Sequence, residues 1–392
     1  MTKRKLRIGL IGSGFMGRTH AFGYSTASRV FDLPFQLELA CLADITDEAA
    51  AKAADALGFA RSTSDWRALV NDPEIDVVNI TAPNAFHKEM ALVAIAAGKH
   101  VYCEKPLAPL AADAREMADA AEAKGVKTQV GFNYLCNPML ALARDMIVAG
   151  ELGEIRGYRG LHAEDYMADP MSPFTFRLDP AGGGALADIG SHALATAEFL
   201  MGPAAGPITQ VMGDCVTVIK TRPDGKGGTR AVQVDDIGRA LLRFENGATG
   251  SVEGNWIATG RTMQHDFEVY GTKGALAFTQ QRFNELHFFS TSDAWGRKGF
   301  RRIEAGPEHA PYGLFCVAPG HQLGFNDLKA IEVARYLEAL AGHQPEPFNF
   351  RAGLRIQTLV ETIHASSRSA AWRDVPTDKV QHQKEYRQHE KA

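Results

Sequence analysis

Over residues 1–132 the apolar positions alternate between two rhythms. Short continuous runs, Leu6–Ile11, Leu37–Ala43, Val77–Ile80, His100–Tyr102 and Lys127–Phe132, have the length of strands covered on both faces. Between them lie Ala-rich amphipathic stretches, Asp47–Leu57, Phe86–Ala97 and Ala111–Lys124, with helical spacing. Gly58, Gly98 and Gly125 each follow such a stretch, where a helix C-terminus takes a residue at positive φ. Strand and helix alternating through short connections predict βαβ units and a doubly wound parallel sheet.

Beyond about residue 135 the rhythm changes. A helix, Pro138–Ala149, and a strand, Ile155–His162, precede a polar loop and a glycine cluster. A helix follows near Ala187–Met201, and then mostly strands from Ile208 to Ser290. Glu245-Asn246-Gly247 and Gly271-Thr272-Lys273-Gly274 read as hairpin turns. Helices Leu328–Leu340 and Gly353–Ser369 close the pattern. Thr221–Arg230 reads as a Gly-rich loop tip, and Thr291–Gln322 as a long irregular segment. The expected fold class is therefore α/β plus α+β. A Rossmann-type parallel sheet spans 1–132, a large, mostly antiparallel sheet with helices on one face spans 133–380, and a polar tail covers 381–392. The uncovered face of the second sheet predicts a homodimer or homotetramer through it.

Composition narrows the function classes. The 392 residues accommodate two domains at roughly 150 residues each. With 42 basic and 46 acidic residues the net charge is −4, which disfavours nucleic acid and anionic membranes as partners. No apolar run approaches the ~18 residues of a membrane span. Lys3, Arg4, Lys5 and Arg7 lie around the start of an apolar stretch, Leu6–Met16, but Gly9, Gly12 and Gly14 interrupt it. It reads as a strand entering a glycine loop, not as an export signal. The five cysteines are widely spaced with no C-x-x-C, as suits a reducing cytoplasm.

Gly12-Ser13-Gly14-Phe15-Met16-Gly17 is a G-x-G-x-x-G that follows a strand and opens a helix. Gly12 permits the tight turn, Gly14 lets backbone approach a pyrophosphate, and Gly17 lets helix and strand pack closely. Asp44 ends the second strand, where a carboxylate accepts hydrogen bonds from both adenosine ribose hydroxyls and repels a 2′-phosphate. NAD is thus favoured over NADP. Thr46 and Asp47 are better placed than Asp44 to cap the next helix. The gap from the glycines to Asp44 is long, and Val30–Gln36 reads as a small insertion.

A second set of motifs follows in order. Thr81-Ala82-Pro83-Asn84 with His87 comes after the Val77–Ile80 strand, and Glu104-Lys105-Pro106 shortly after that. Gly131-Phe132-Asn133-Tyr134 ends the last strand of the first half, and Asp188-Ile189-Gly190-Ser191-His192 stands behind three glycines. This set resembles the glucose–fructose oxidoreductase, inositol dehydrogenase and rhizopine-catabolism (Gfo/Idh/MocA) family over nearly the whole chain. Ser62-Thr63-Ser64-Asp65-Trp66 and the run from Glu164-Asp165-Tyr166 to Phe176-Arg177 resemble its polyol and pyranose dehydrogenases, of the levoglucosan and scyllo-inositol/L-glucose types. Relatives often carry Trp-Arg where this chain has Phe176-Arg177.

The resemblance implies NAD-dependent oxidation of a secondary hydroxyl, reversibly, with Lys105, Asp188 and His192 as the catalytic group. An alcohol oxidation sends hydride to nicotinamide and needs a base for the proton. An imidazole such as His192 suits that task, and the Lys105 ammonium suits a developing alkoxide. Either can be the final proton acceptor. Asp188, four residues before His192, would share its helix face. The cofactor is expected along the glycine loop, Asp44, Ile45, Thr81, Ala82, Pro83, Asn84, His87, Glu104, Lys105, Asn133 and Arg177. The substrate is expected at Lys105, Tyr134, Asp165, Phe176, Asp188 and His192. No metal is expected: His162 with Asp188 and His192 lacks a spacing that demands one. A glycoside hydrolase working through transient oxidation, and a non-catalytic dinucleotide sensor, are the alternatives.

Overall fold

Six parallel strands in the order β3-β2-β1-β4-β5-β6 form the first sheet of this computed structural model, which describes residues 3–346 and 348–377. The tail read at 381–392 lies outside the described residues. The strands are β1 (Arg4–Ile11), β2 (Phe35–Ala43), β3 (Arg61–Thr63), β4 (Val77–Ile80), β5 (His100–Cys103) and β6 (Thr128–Val130). Their helices are α1 (Phe15–Val30), α2 (Asp47–Leu57), α3 (Trp66–Asn71), α4 (His87–Ala96) and α5 (Ala111–Lys124). The Thr46 hydroxyl caps α2 by accepting from Ala49 N at 3.1 Å, and Gly58 ends it at φ +78°. The apparent insertion at Val30–Gln36 is the end of a 16-residue α1 and a short link to β2. Strand β3 and helix α3 escape the sequence reading because they are too short to show a period; Asp65 caps α3 through Arg67 N. The strand order reverses between β1 and β4, and ligands of such sheets bind beyond the strand ends at that point.

The first compact unit comprises the chain to Pro138 with Thr175–Gly183 and Ala305–Gln357. Its later segments bring in α8 (Tyr312–Phe315), α9 (Phe325–Leu340) and the start of α10 (Phe350–Ser369). Helix α9 packs along α1 at Gly23, where a Cβ would lie 2.9 Å from Lys329 Cγ.

Among the described residues the second unit comprises Met139–Phe174, Gly184–Glu304 and 358–377. Nine strands lie in the order β16-β15-β14-β13-β7-β12-β11-β8-β17. They are β7 (Ile155–Ala163), β8 (Ile208–Val216), β11 (Ile237–Phe244), β12 (Thr249–Asn255), β13 (Gln264–Gly271), β14 (Gly274–Thr279), β15 (Glu285–Ser290), β16 (Arg301–Glu304) and β17 (Arg373–Asp374). All pairs are antiparallel except β7 with β12. Helix α7 (Ser191–Ala205) covers one face, and α6 (Pro138–Val148) precedes β7. The opposite face carries Arg159, Leu161, Arg239, Leu241, Glu253 and Glu268 over a shallow groove. The Thr221–Arg230 loop tip is a correction: it holds a two-stranded hairpin, β9 (Thr221–Pro223) with β10 (Thr229–Ala231). Asp224 organises the turn by accepting from Lys226 N and Gly228 N, which lets a glycine-rich stretch double back.

Candidate active site

In the first unit the glycine loop is built as the spacing demands. Gly12 sits at φ +94° and donates to Ala43 O at 2.9 Å. A Cβ at Gly17 would lie 2.1 Å from Gly12 O, so only glycine fits. The Thr81 hydroxyl lies 3.0 Å from Ile11 O and 2.8 Å from Gly12 O, and so braces the loop from the end of β4. Gly14 caps α1 without a side-chain bond, and a Cβ there would meet nothing within 4 Å. An uncapped helix N-terminus behind open space suits a pyrophosphate. Asp44 Oδ2 accepts from Ser13 N at 2.9 Å and from the Ser13 hydroxyl, while Oδ1 accepts from Ile45 N at 2.7 Å. A carboxylate so oriented retains acceptor capacity for ribose hydroxyls. Ile45 and Phe15 are 89% and 71% exposed, apolar surface that a bound dinucleotide would cover. These residues fit NAD.

The neighbouring loops are tied together. Buried Asn84 donates to Gly182 O at 3.3 Å, joining the β4 loop to the segment with Phe176 and Arg177. The Arg177 guanidinium lies 4.7 Å over the Phe176 ring. Ala82 O and Pro106 O lie 2.8 and 3.0 Å from the two ring nitrogens of His87, which is fully buried. His87 is thus a correction: fully buried, it presents no surface to a cofactor, but holds the Thr81 loop against the Lys105-Pro106 turn. Burial pushes its pKa down. Glu104 also turns inward. Its Oε1 accepts from His20 Nε2 at 2.8 Å and Lys329 Nζ at 3.0 Å, and its Oε2 from Lys105 N at 3.2 Å. Burial opposes its charge, but Lys329 and His20 hold the carboxyl well below the usual range. Half-buried Lys105 follows at the strand end. Asn133 is buried, and Tyr134 packs against Phe325, whose ring stacks on Phe15 at 5.7 Å.

In the second unit Asp188 and His192 sit differently from the expectation of one regular helix. Asp188 lies in a π-helical turn, Leu186–Gly190, that runs into α7 at Ser191. Such turns insert an extra residue and re-aim side chains. Asp235 fixes the turn by accepting Leu186 N at 2.8 Å, and in turn contacts His364 at 2.8 Å. The Tyr166 hydroxyl donates to Asp188 Oδ2 at 2.9 Å. Behind His192 stand His162 and His265, with ring centroids 5.5 and 6.2 Å away. His162 Nε2 meets Glu164 Oε1 at 2.9 Å, and the Thr196 hydroxyl meets His265 Nε2 at 3.1 Å. Burial, then His162, pushes the His265 pKa well below its ordinary value. Asp165 accepts from Gly260 N at 3.0 Å, which anchors its loop. Among the described residues no group of three or more His, Cys, Asp or Glu is arranged to hold a metal ion.

Tyr166, Phe325, His20 and Lys329 were not expected. Two of them carried a signal: Tyr166 stands in the run that resembles polyol and pyranose dehydrogenases, and Lys329 is a lysine on the apolar stripe of a helix.

Residues 6–132 match the oxidoreductase family model with an NAD-binding Rossmann fold, and residues 140–277 match the GFO/IDH/MocA C-terminal domain. The chain is 37% identical to a levoglucosan dehydrogenase of Pseudarthrobacter phenanthrenivorans over 391 residues, covering 95% of this chain and 99% of that protein. It is 26% identical to a scyllo-inositol 2-dehydrogenase (NAD(+)) of Bacillus subtilis, covering 86% of this chain and 87% of that one. A solved levoglucosan dehydrogenase in complex with NADH and levoglucosan superposes with a TM-score of 0.91 at 38% identity, over 95% of this chain and all of that one.

Proposed function

This chain belongs to the Gfo/Idh/MocA oxidoreductase family, and we propose that it oxidises a secondary hydroxyl of a cyclic polyol or pyranose sugar with NAD. The observation that carries this reading is the likeness to a levoglucosan dehydrogenase over 95% of the chain. The glycine loop and Asp44 would hold NAD, which supplies the hydride acceptor when bound. Lys105 would stabilise the developing alkoxide, and His192 would take the proton or share it with Lys105. Asp188, held by Tyr166, would receive a substrate hydroxyl or steady His192. Residues 1–132 would serve as the cofactor half, with Thr175–Gly183 and Ala305–Gln357 joining the same compact unit, and the rest of 133–380 as the substrate and oligomerisation half.

The same reading places the enzyme in the cytoplasm, where five free thiols persist. It also makes the enzyme a homodimer or homotetramer through the sheet face that carries Leu241, 54% exposed in this chain. Among the described residues no helix is long and apolar enough to cross a membrane.

The test follows absorbance at 340 nm with NAD or NADP and a panel of levoglucosan, inositols, D- and L-glucose, xylose and galactose. NADH formation with NAD and a narrow set of these substrates is expected. Silence with every sugar and with every corresponding ketose would refute the proposal. Release of an aryl group from a chromogenic glycoside without net NADH would replace it with the hydrolase.

A further inference from the structure

Arg222 lies on β9, entirely buried, and makes no ion pair with any carboxylate among the described residues. A buried guanidinium is costly unless its hydrogen bonds justify it. Two backbone carbonyls accept from it: Met167 O from Nη2 at 2.6 Å, and Asp169 O from Nη1. The buried Nε has no hydrogen-bond partner. The cation is therefore spent on the shape of one loop.

That loop is pinned by the same hairpin at a further point. Phe174 N donates to Pro223 O at 2.8 Å, and the Arg230 guanidinium lies 3.9 Å over the Phe174 ring. On its other side the loop hangs from the end of β12: Glu164 N donates to Asn255 O and Met167 N to Trp256 O. Between these anchors stands Tyr166, edge-on to Trp256, with its hydroxyl on Asp188.

The geometry points to Arg222 as a positioning residue for the sugar: through the Met167 and Asp169 carbonyls it fixes the loop that places Tyr166 on Asp188. The β9–β10 hairpin is then a clamp on the substrate loop. Tyr166 donates to one Asp188 oxygen and so fixes the direction of the carboxylate. This inference rests on the proposed dehydrogenase reading for its effect on rate, but not for its effect on the loop.

The test compares Arg222→Met, Tyr166→Phe and the double variant. Hydrogen–deuterium exchange over 164–174 is expected to quicken about tenfold in Arg222→Met, with the rest of the unit unchanged. kcat/KM for the sugar falls by a similar factor while NADH affinity holds within about twofold. Tyr166→Phe lowers kcat/KM without loosening the loop, and the double variant is no slower than Arg222→Met, as residues in one chain of contacts behave. If Arg222→Met does not fold, Arg222→Lys takes its place, keeping the charge but not the planar fork that reaches both carbonyls. Unchanged exchange over 164–174, or rate losses that multiply in the double variant, would overturn the inference. A wild-type protein without turnover would count against the dehydrogenase reading alone, and the exchange result would still decide the role of Arg222.

Discussion

Lys329→Met tests whether the buried charges beside Lys105 act as one network. Lys329 is fully buried on α9, with Nζ 3.0 Å from Glu104 Oε1, 2.7 Å from Glu332 Oε2 and 3.1 Å from the Tyr102 hydroxyl. Burial disfavours its charge, but the two carboxylates outweigh that and raise its pKa. Burial and the Lys329 charge lower the pKa of His20. Burial raises the pKa of Glu332. Methionine keeps the stem and removes the ammonium, so Glu104 keeps its bonds to His20 and the Lys105 amide but loses its cation. It must stay charged without that cation, or a proton must be taken up on itself or on His20. Breaking a buried pair from one side costs about 3–5 kcal/mol. For a unit of this size that lowers the melting temperature by on the order of 10 °C.

The pH dependence follows from the signs. The depressed Glu104 pKa contributes stability that is present above the ordinary carboxyl pKa of 4.5 and is lost as pH falls through its folded value. The raised Lys329 pKa contributes stability that is full below 10.5 and is lost as pH rises through its folded value. Between pH 4.5 and 7.5 both wild-type contributions are full. In Lys329→Met, burial without the ammonium raises the Glu104 pKa, so the variant takes up a proton and regains stability as pH falls toward 4.5. The gap between wild type and variant is therefore wide at pH 7.5 and narrows toward pH 4.5. Thermal denaturation followed by near-ultraviolet circular dichroism at both pH values reads it. Lys329→Met with Glu104→Gln should recover most of the loss. An equal gap at both pH values, or a double variant less stable than Lys329→Met alone, would refute the reasoning and reduce Lys329 to a space filler.

The remaining expectations concern the cofactor and the chemistry. Asp44→Ala removes the acceptor of the ribose hydroxyls, so kcat/KM with NAD falls roughly 10- to 100-fold and the NADP/NAD ratio rises; initial rates with both cofactors measure it. Lys105→Met lowers kcat by about 10²–10⁴ while NADH affinity, read by fluorescence titration, stays within a few-fold; equal losses in both would make Lys105 a binding residue only. Gly17→Ala drives a Cβ into Gly12 O, so NADH binding measured by calorimetry is lost and the melting temperature falls.

The cofactor half was legible because its signals are local. A strand, a G-x-G-x-x-G and an acidic residue at the next strand end fall within one βαβ unit, and the structure bonds Asp44 directly to Ser13. The rest depends on partners far apart in sequence. Glu104 was expected along the cofactor, yet its carboxylate is held by Lys329, 225 residues away. A lysine on the apolar stripe of α9 can be noticed in sequence, but nothing local names its partner. His87 misled for a related reason: its neighbours in sequence are cofactor loops, while its ring is used to join their backbones. Asp188 and His192 were singled out by motif, but the four-residue spacing implied an ordinary helix. The three glycines before them instead lead into a π-turn fixed by Asp235, 49 residues away from Leu186. Arg222 gave no signal, because a basic residue in a glycine-rich stretch reads as solvated until the hairpin buries it. His87, Glu104, Lys329 and Arg222 are polar side chains buried on backbone or on a distant charge. Such groups cost folding energy wherever they are not used, so the positions that patterning cannot assign are the ones where this fold constrains its loops most tightly.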